Sequence, residues 1–246
     1  MNEDKLNNLN RKISQTVRNN EILRGYYKTI FSNNSVDKYF LDLSCGSRTD
    51  IRNVVESFGF KWIGVDIIDS NDVIKADSHD LPFYDSKFDV VFSAATFEHY
   101  YNPWQVAKEV SRVLKPGGYF CGLIAFLQPW HGNSYYHFSH NGIKQMLKEI
   151  DFKILDLHAG DEDGISYIIK KLFPPPLTII GKIFGLYGKI LLKMRSSVLP
   201  NIIKILYSEK NIERKKKLKF LGYDELRFAA SIIFLAQKQE SDNSLG

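Results

Sequence analysis

Cysteine is scarce. Cys45 and Cys121 are the two thiols in 246 residues, too few for a disulfide framework or a zinc site. Both fall in apolar stretches and read as reduced, buried thiols of a cytoplasmic protein. The opening "MNEDKLNNLNRK" is polar and lacks the apolar h-region of a secretory signal. The segment 165–220 has no uncharged apolar run of about 18 residues, because Lys182, Lys189 and Lys193 interrupt it, so no membrane span is expected there. The three-glycine pattern G-x-G-x-x-G is missing, which speaks against a nicotinamide oxidoreductase, and there is no G-x-x-x-x-G-K-[ST] triphosphate loop. Internal repeats and low-complexity tracts are absent as well.

What is present is ordinary globular composition, 44% hydrophobic and 25% charged, enough for one sizeable core with a small appendage. The net charge of +5 is unevenly spread. Residues 165–220 hold 13 Lys and Arg against Glu209 and Glu213, a local +11 that leaves −6 for the rest. Such asymmetry points to an anionic surface or ligand near that segment.

Residues 12–31 read as an amphipathic helix with Ile13, Val17, Ile22, Leu23 and Tyr26 on its apolar side. Strands and helices then alternate. Strands are expected at 39–43, 62–67, 72–77, 88–94, 119–126 and 152–158. Helices are expected at 49–59, 102–114 and 141–150, the second with proline in its first turn and "KPGG" as its stop. The last apolar run, 229–236, reads as a final antiparallel edge strand. Near-continuous apolar strands alternating with helices imply an α/β fold, a mostly parallel sheet covered on both faces. Ligands then belong at the carboxyl ends of the strands.

The stretch "YFLDLSCGSRTD" (39–50) ends a buried strand in a tight turn that opens a helix. Backbone N–H groups at such a turn face a ligand, and Gly46 permits close approach. Ser47 and Asp50 give a weak capping box. Asp42 inside the strand suits a ligand carrying an ammonium or sulfonium cation. Asp66 follows Gly46 by 20 residues, a spacing that puts a carboxylate beside a ribose. The third strand ends in Asp77, followed by Ser78, where a carboxylate or amide edge can meet an adenine amino group.

"FLDLSCGSRTD", "GVDI", "KADSHDLPFYDSKFDVVFSAATFEHYYNP" and "EVSRVLKPGGYF" resemble, in order and spacing, the motifs of class I S-adenosylmethionine-dependent methyltransferases of the type 11 kind. The resemblance covers roughly residues 38–158. It implies a Rossmann-like methyltransferase sandwich with seven strands, the last antiparallel, and S-adenosylmethionine as cofactor. It further implies that Asp42, Ser44 and Gly46 hold the methionine part and that Asp66 and Ile67 hold the ribose side. Asp77 and Ser78 would meet the adenine, and Ser93 and Ala94 the methionine end. Ser44 and Arg48 stand where the family pattern D-x-G-x-G-x-G has its outer glycines, a departure that crowds the loop.

"FLQPWHGNSYYHFSHNG" (126–142) resembles a segment of methyltransferases from bacterial surface-polysaccharide clusters, which implies a sugar or lipid-linked acceptor. An imidazole titrating near neutrality suits removal of a hydroxyl proton. His131 is the first candidate and His99, on the helix after the fourth strand, the second. No acidic residue falls at ligand spacing from the histidines, so no metal is expected. Lys182, Lys189 and Lys193 share one helical face opposite Ile180, Ile183, Phe184, Tyr187, Ile190 and Leu191. That pattern reads either as an interfacial helix over 177–207, giving peripheral membrane contact, or as a cap over the site.

The expected organisation is an N-terminal helical extension (1–37), a cofactor-binding core (38–164), a basic helical insertion (165–220), and a strand with a tail (221–246). The expected activity is O-methylation of a glycan or glycolipid precursor, with a small-molecule or quinone-type acceptor, or a non-catalytic cofactor-binding scaffold, as alternatives. Nucleic acid is not an expected partner, because neither an N/D-P-P-Y/F motif nor an RNA-binding module is present.

Overall fold

The computed structural model describes residues 26, 29–31, 37–46, 50–128, 133–160, 183, 186, 187, 190 and 229–240. Seven strands form one sheet: β1 (Tyr39–Leu43), β2 (Lys61–Asp66), β3 (Val73–Lys75), β4 (Phe88–Ala94), β5 (Leu114–Ala125), β6 (Phe152–Ala159) and β7 (Ser231–Lys238). Their spatial order is β3-β2-β1-β4-β5-β7-β6. The pairs from β3 to β5 are parallel, and β7 runs antiparallel to both neighbours. The helices are α1 (Asp50–Ser57), α2 (Pro103–Val113) and α3 (His140–Glu149).

The expected strands at 39–43 and 88–94 match β1 and β4 residue for residue. The terminal strand is antiparallel as expected, but it is not an edge: β7 lies between β5 and β6. Composition explains this. Residues 231–236 of β7 are all buried, whereas β6 alternates with exposure at Lys153, Leu155, Asp156 and His158. A strand with charge on one face tolerates an open side. "KPGG" also differs from expectation. Its residues belong to β5, where the register with β4 shifts between the Phe88–Leu114 and Val90–Tyr119 pairs, so they form a bulge rather than a helix stop.

Strand alternation sorts the core into two layers. One face carries Leu41, Leu43, Val91, Phe120, Ile124 and Phe234 against Val106, Val110 and Val113 of α2 and Ile143, Met146 and Leu147 of α3. The other carries Phe40, Val90, Phe92, Cys121 and Leu235 against Ile51 and Val55 of α1 and Tyr26, Ile30 and Phe31. Tyr26 and residues 29–31 are helical; the rest of the N-terminal helix call lies outside the described residues. Helix starts follow their caps: Asn102 accepts from Gln105 N at 3.2 Å, and Ser139 from Gly142 N at 3.2 Å.

Arg112 explains the "E-x-x-R" of the "EVSRVL" stretch. Its guanidinium donates to Glu109 Oε1 and Oε2, Asp85 Oδ1, and the carbonyls of Leu81 and Phe83, at 2.7–2.9 Å. Glu109 in turn accepts from Leu81 N, and the Arg112 hydrogen bond holds its carboxyl below the usual range. The pair fixes the loop between β3 and β4.

Candidate functional site

β1 has β2 on one side and β4 on the other, so the chain leaves β1 in one direction and returns in the other. This is the topological switch point, where the carboxyl ends open a crevice. Ser44 follows β1 at φ +53° and Ala95 follows β4 at φ +54°. Two non-glycine residues in left-handed geometry thus flank the crevice, the kind of strain that gathers at functional sites.

The β1 turn is tied to β2. Cys45 N donates to Val65 O at 3.1 Å, and Gly46 N to Asp66 Oδ2 at 2.8 Å. The other oxygen of Asp66 accepts from Ile68 N at 2.9 Å. Asp66 is only 7% exposed, and its hydrogen bonds hold the carboxylate between the turn and the end of β2. Gly46 has φ +59°, and a Cβ there would meet nothing within 4 Å. Open space therefore lies before this backbone. Ile67 and Ile68 next to Asp66 are 68% and 66% exposed, an uncovered apolar shelf.

Asp42 is fully buried beneath the turn, with the Trp62 indole N–H 3.4 Å from Oδ2. Gly64 makes that approach feasible, since a Cβ on it would collide with the Trp62 ring. Burial and, secondarily, the charge of Asp42 push the Cys121 thiol well above its ordinary range, so that thiol stays protonated and unreactive.

Beyond β3, Asp77 is exposed. Its Oδ1 accepts from His79 N at 2.9 Å and pairs with His79 Nδ1 at 2.6 Å. The His79 N–H holds the carboxyl below its usual range. Asp77 lies past the strand rather than at its end, because β3 stops at Lys75. Ser78 is buried within a cluster of hydroxyls. Tyr100 Oη sits 2.7 Å from Ser44 Oγ and 3.2 Å from Ser78 Oγ. Ser93 Oγ, at the end of β4, lies 2.5 Å from Thr96 Oγ1, and Ala94 precedes the strained Ala95.

The crevice therefore gathers Ser44, Gly46, Asp66, Ile67, Ser78, Ser93 and Ala94, with Asp42 below and Asp77 at the margin. His99 is not on a long helix. It closes a 3-10 turn, Phe97–His99, ahead of α2, because Tyr100 turns extended and Pro103 starts the next helix. Trp130, His131, Arg48 and the Ser47 cap lie outside the described residues. Among the described residues no group of three His, Cys, Asp or Glu can hold a metal.

Sequence reasoning passed over Trp62, Thr96, Tyr100 and Trp104. An outer wall is formed where Tyr135 N and Tyr136 N both donate to Glu98 O, at 2.7 and 3.2 Å. Tyr136 Oη donates to Tyr101 O, and its ring meets Trp104 edge-on at 5.9 Å. Tyr101 and Tyr135 are more than half exposed. The segment after β5 is thereby laid against the turn after β4, beside the crevice.

Residues 41–122 match the methyltransferase domain family. The sterol 4-C-methyltransferase of Caenorhabditis elegans is 32% identical over 103 residues, which is 35% of this chain and 30% of that protein; the chain thus spans under a third of that relative's length. In fold, the chain is similar to a protein from Galdieria sulphuraria assigned as a sarcosine dimethylglycine methyltransferase. That likeness has a TM-score of 0.55 and 15% identity, over 91% of this chain and 86% of that one. It is also similar to phosphoethanolamine N-methyltransferase 2 of Haemonchus contortus, solved with phosphomonomethylethanolamine and S-adenosylhomocysteine. Here the TM-score is 0.51 and the identity 16%, over 92% of this chain and 53% of that one. The domain match covers about a third of the chain, and the fold of this chain is the Rossmann-like methyltransferase fold.

Proposed function

We propose that the protein transfers a methyl group from S-adenosylmethionine to an oxygen of a glycan or glycolipid precursor. The observation that carries the cofactor is the β1 turn: a glycine backbone facing open space, hydrogen-bonded to a carboxylate at the end of the neighbouring strand. The donor set fits. Asp66 suits a ribose diol, the Ile67–Ile68 shelf an adenine face, and the buried Asp42 a cationic methionine end. S-adenosylmethionine supplies a methyl group on a sulfonium that departs as a neutral thioether. The protein's task is alignment and exclusion of water. An imidazole of this chain would hold the acceptor hydroxyl and take its proton, His131 first and His99 second.

The glycan reading draws on the wall of Tyr101, Trp104, Tyr135 and Tyr136. Exposed rings with polar tips offer apolar faces and hydrogen bonds together, which suits the ring faces and hydroxyls of a sugar. A small-molecule or quinone-type acceptor is the rival reading. Calorimetry with S-adenosylhomocysteine, followed by transfer of labelled methyl to sugar nucleotides, lipid-linked sugars and quinols, tests both halves. Binding together with label on a sugar is the expected result. Label on quinols alone removes the glycan, binding without any turnover favours a scaffold, and no binding defeats the methyltransferase reading.

The acceptor reading includes a membrane contact through 177–207. Ile183, Leu186, Tyr187 and Ile190 are helical at spacings of three, four and seven, and all are exposed, so they form one apolar stripe. The surrounding segment, at +11, complements an anionic bilayer; no described helix is long and apolar enough to cross one. Vesicles containing phosphatidylserine should sediment the protein at low salt and release it at high salt. Changing Lys182, Lys189 and Lys193 together to Gln should remove roughly 3 kcal/mol of attraction. Wild-type protein left in the supernatant at low salt would defeat this contact.

A further inference from the structure

Ser44 stands at one of the two positions where the turn departs from the usual glycine, and its backbone is left-handed, φ +53°. Glycine adopts that conformation freely, while a side chain must be held in it. The holder is visible. Ser44 Oγ is 2.7 Å from Tyr100 Oη, the shortest contact of a triangle completed by Ser78 Oγ at 3.2 Å from the phenol and 3.4 Å from Ser44 Oγ. Three segments meet there: the turn after β1, the loop after β3 and the turn after β4. Tyr100 is nearly buried and Ser78 fully so. The Tyr100 phenol donates to Ser78 and pairs with the Ser44 hydroxyl, a group able both to donate and to accept. Burial raises its pKa, against the opposing effect of its hydroxyl partners, which keeps the phenol neutral. Two residues past Ser44, Gly46 N reaches Asp66, so the conformation of Ser44 sets the aim of both groups.

We infer that Tyr100 is a positioning residue: its phenol clamps Ser44 in left-handed geometry, ties the β1 turn to Ser78, and so holds Gly46 and Asp66 ready for a nucleoside-bearing ligand. The inference rests on the methyltransferase reading for the identity of that ligand. It also makes Ser44 and Tyr100 a matched pair, with the phenol compensating for the lost glycine.

The test compares wild type, Tyr100→Phe, Ser44→Gly and the double variant by two readouts. One is amide exchange at Cys45 and Gly46 in the ligand-free protein; the other is calorimetry with S-adenosylhomocysteine. Tyr100→Phe should speed exchange at both amides about tenfold and weaken binding about tenfold, because two hydroxyls lose a buried partner. Adding Ser44→Gly should restore most of both, since glycine needs no clamp. A purely structural role predicts no such rescue. If wild type binds and Tyr100→Phe binds equally, the clamp is overturned alone; if wild type does not bind, the clamp falls together with the methyltransferase reading. Weaker binding with unchanged exchange would make Tyr100 a ligand contact and overturn positioning. Should Tyr100→Phe fail to fold, Ser78→Ala removes one leg of the triangle. It should give the same pattern at lower amplitude, and wild-type values in it overturn the proposal.

Discussion

Asp66→Ala should weaken S-adenosylhomocysteine binding by about 10- to 150-fold. The carboxylate accepts the Gly46 and Ile68 N–H groups, one on each oxygen, and each oxygen keeps a second acceptor site. A charge-assisted contact to a ribose hydroxyl is worth roughly 1.5–3 kcal/mol, and about 1.4 kcal/mol is a factor of ten. Alanine also frees Gly46 N, so the turn loses its anchor and the preorganisation that lowers the cost of binding. Asp66→Asn keeps one acceptor oxygen and removes the charge, so its loss should be smaller than that of alanine. Calorimetry on both variants reads the two contributions. Affinity unchanged in Asp66→Ala would take this residue out of the site.

Phe120→Ala should cost about 3–5 kcal/mol of folding stability. Phe120 is fully buried on β5. Its ring lies 4.9 Å from that of Phe234 on β7, 5.8 Å from Phe97 and 6.2 Å from Phe152. Truncation therefore opens a void among close-packed rings where β5, β6, β7 and the turn after β4 converge. Against a typical total of roughly 5–15 kcal/mol, that is a large share. Urea denaturation monitored by tryptophan fluorescence gives the value. A loss under about 1 kcal/mol would mean that the surrounding rings collapse into the gap.

The residues differ in how plainly their chain order announces their place. β1 and β4 were legible because "YFLDL" and "FDVVFSA" are short apolar runs bounded by polar breaks, and pattern alone locates such strands. Asp66 was legible from its spacing to Gly46, a local relation within one βαβ unit. The seat of β7 was misread because proximity to the end of the sequence suggested an edge. The better signal was the contrast between the unbroken apolar "SIIFLA" and the charged alternation of β6. Tyr100 stayed hidden for a different reason. Its partner Ser44 is 56 residues away, and no periodicity links a phenol to a serine across two strands. Trp62 over Gly64 is intermediate: the W-x-G pattern on one strand face hints at a ring lying on a bare backbone.

The seat of β7 also dictates an order of assembly. β6 pairs with β7 and with no other described strand, so during synthesis it emerges with no partner on offer. Residues 160–230 must then be made before Ser231–Lys238 can enter between β5 and β6. Until that moment β5 has an open side lined by Phe120, Gly122 and Ile124, a surface that invites pairing with other chains. Closing so long a tether is a non-local event and slows folding. Its entropic cost, however, grows only by about 0.6 kcal/mol for each doubling of length. In chain entropy alone, a longer or shorter connection between β6 and β7 therefore costs the sheet little, provided that the last strand still arrives.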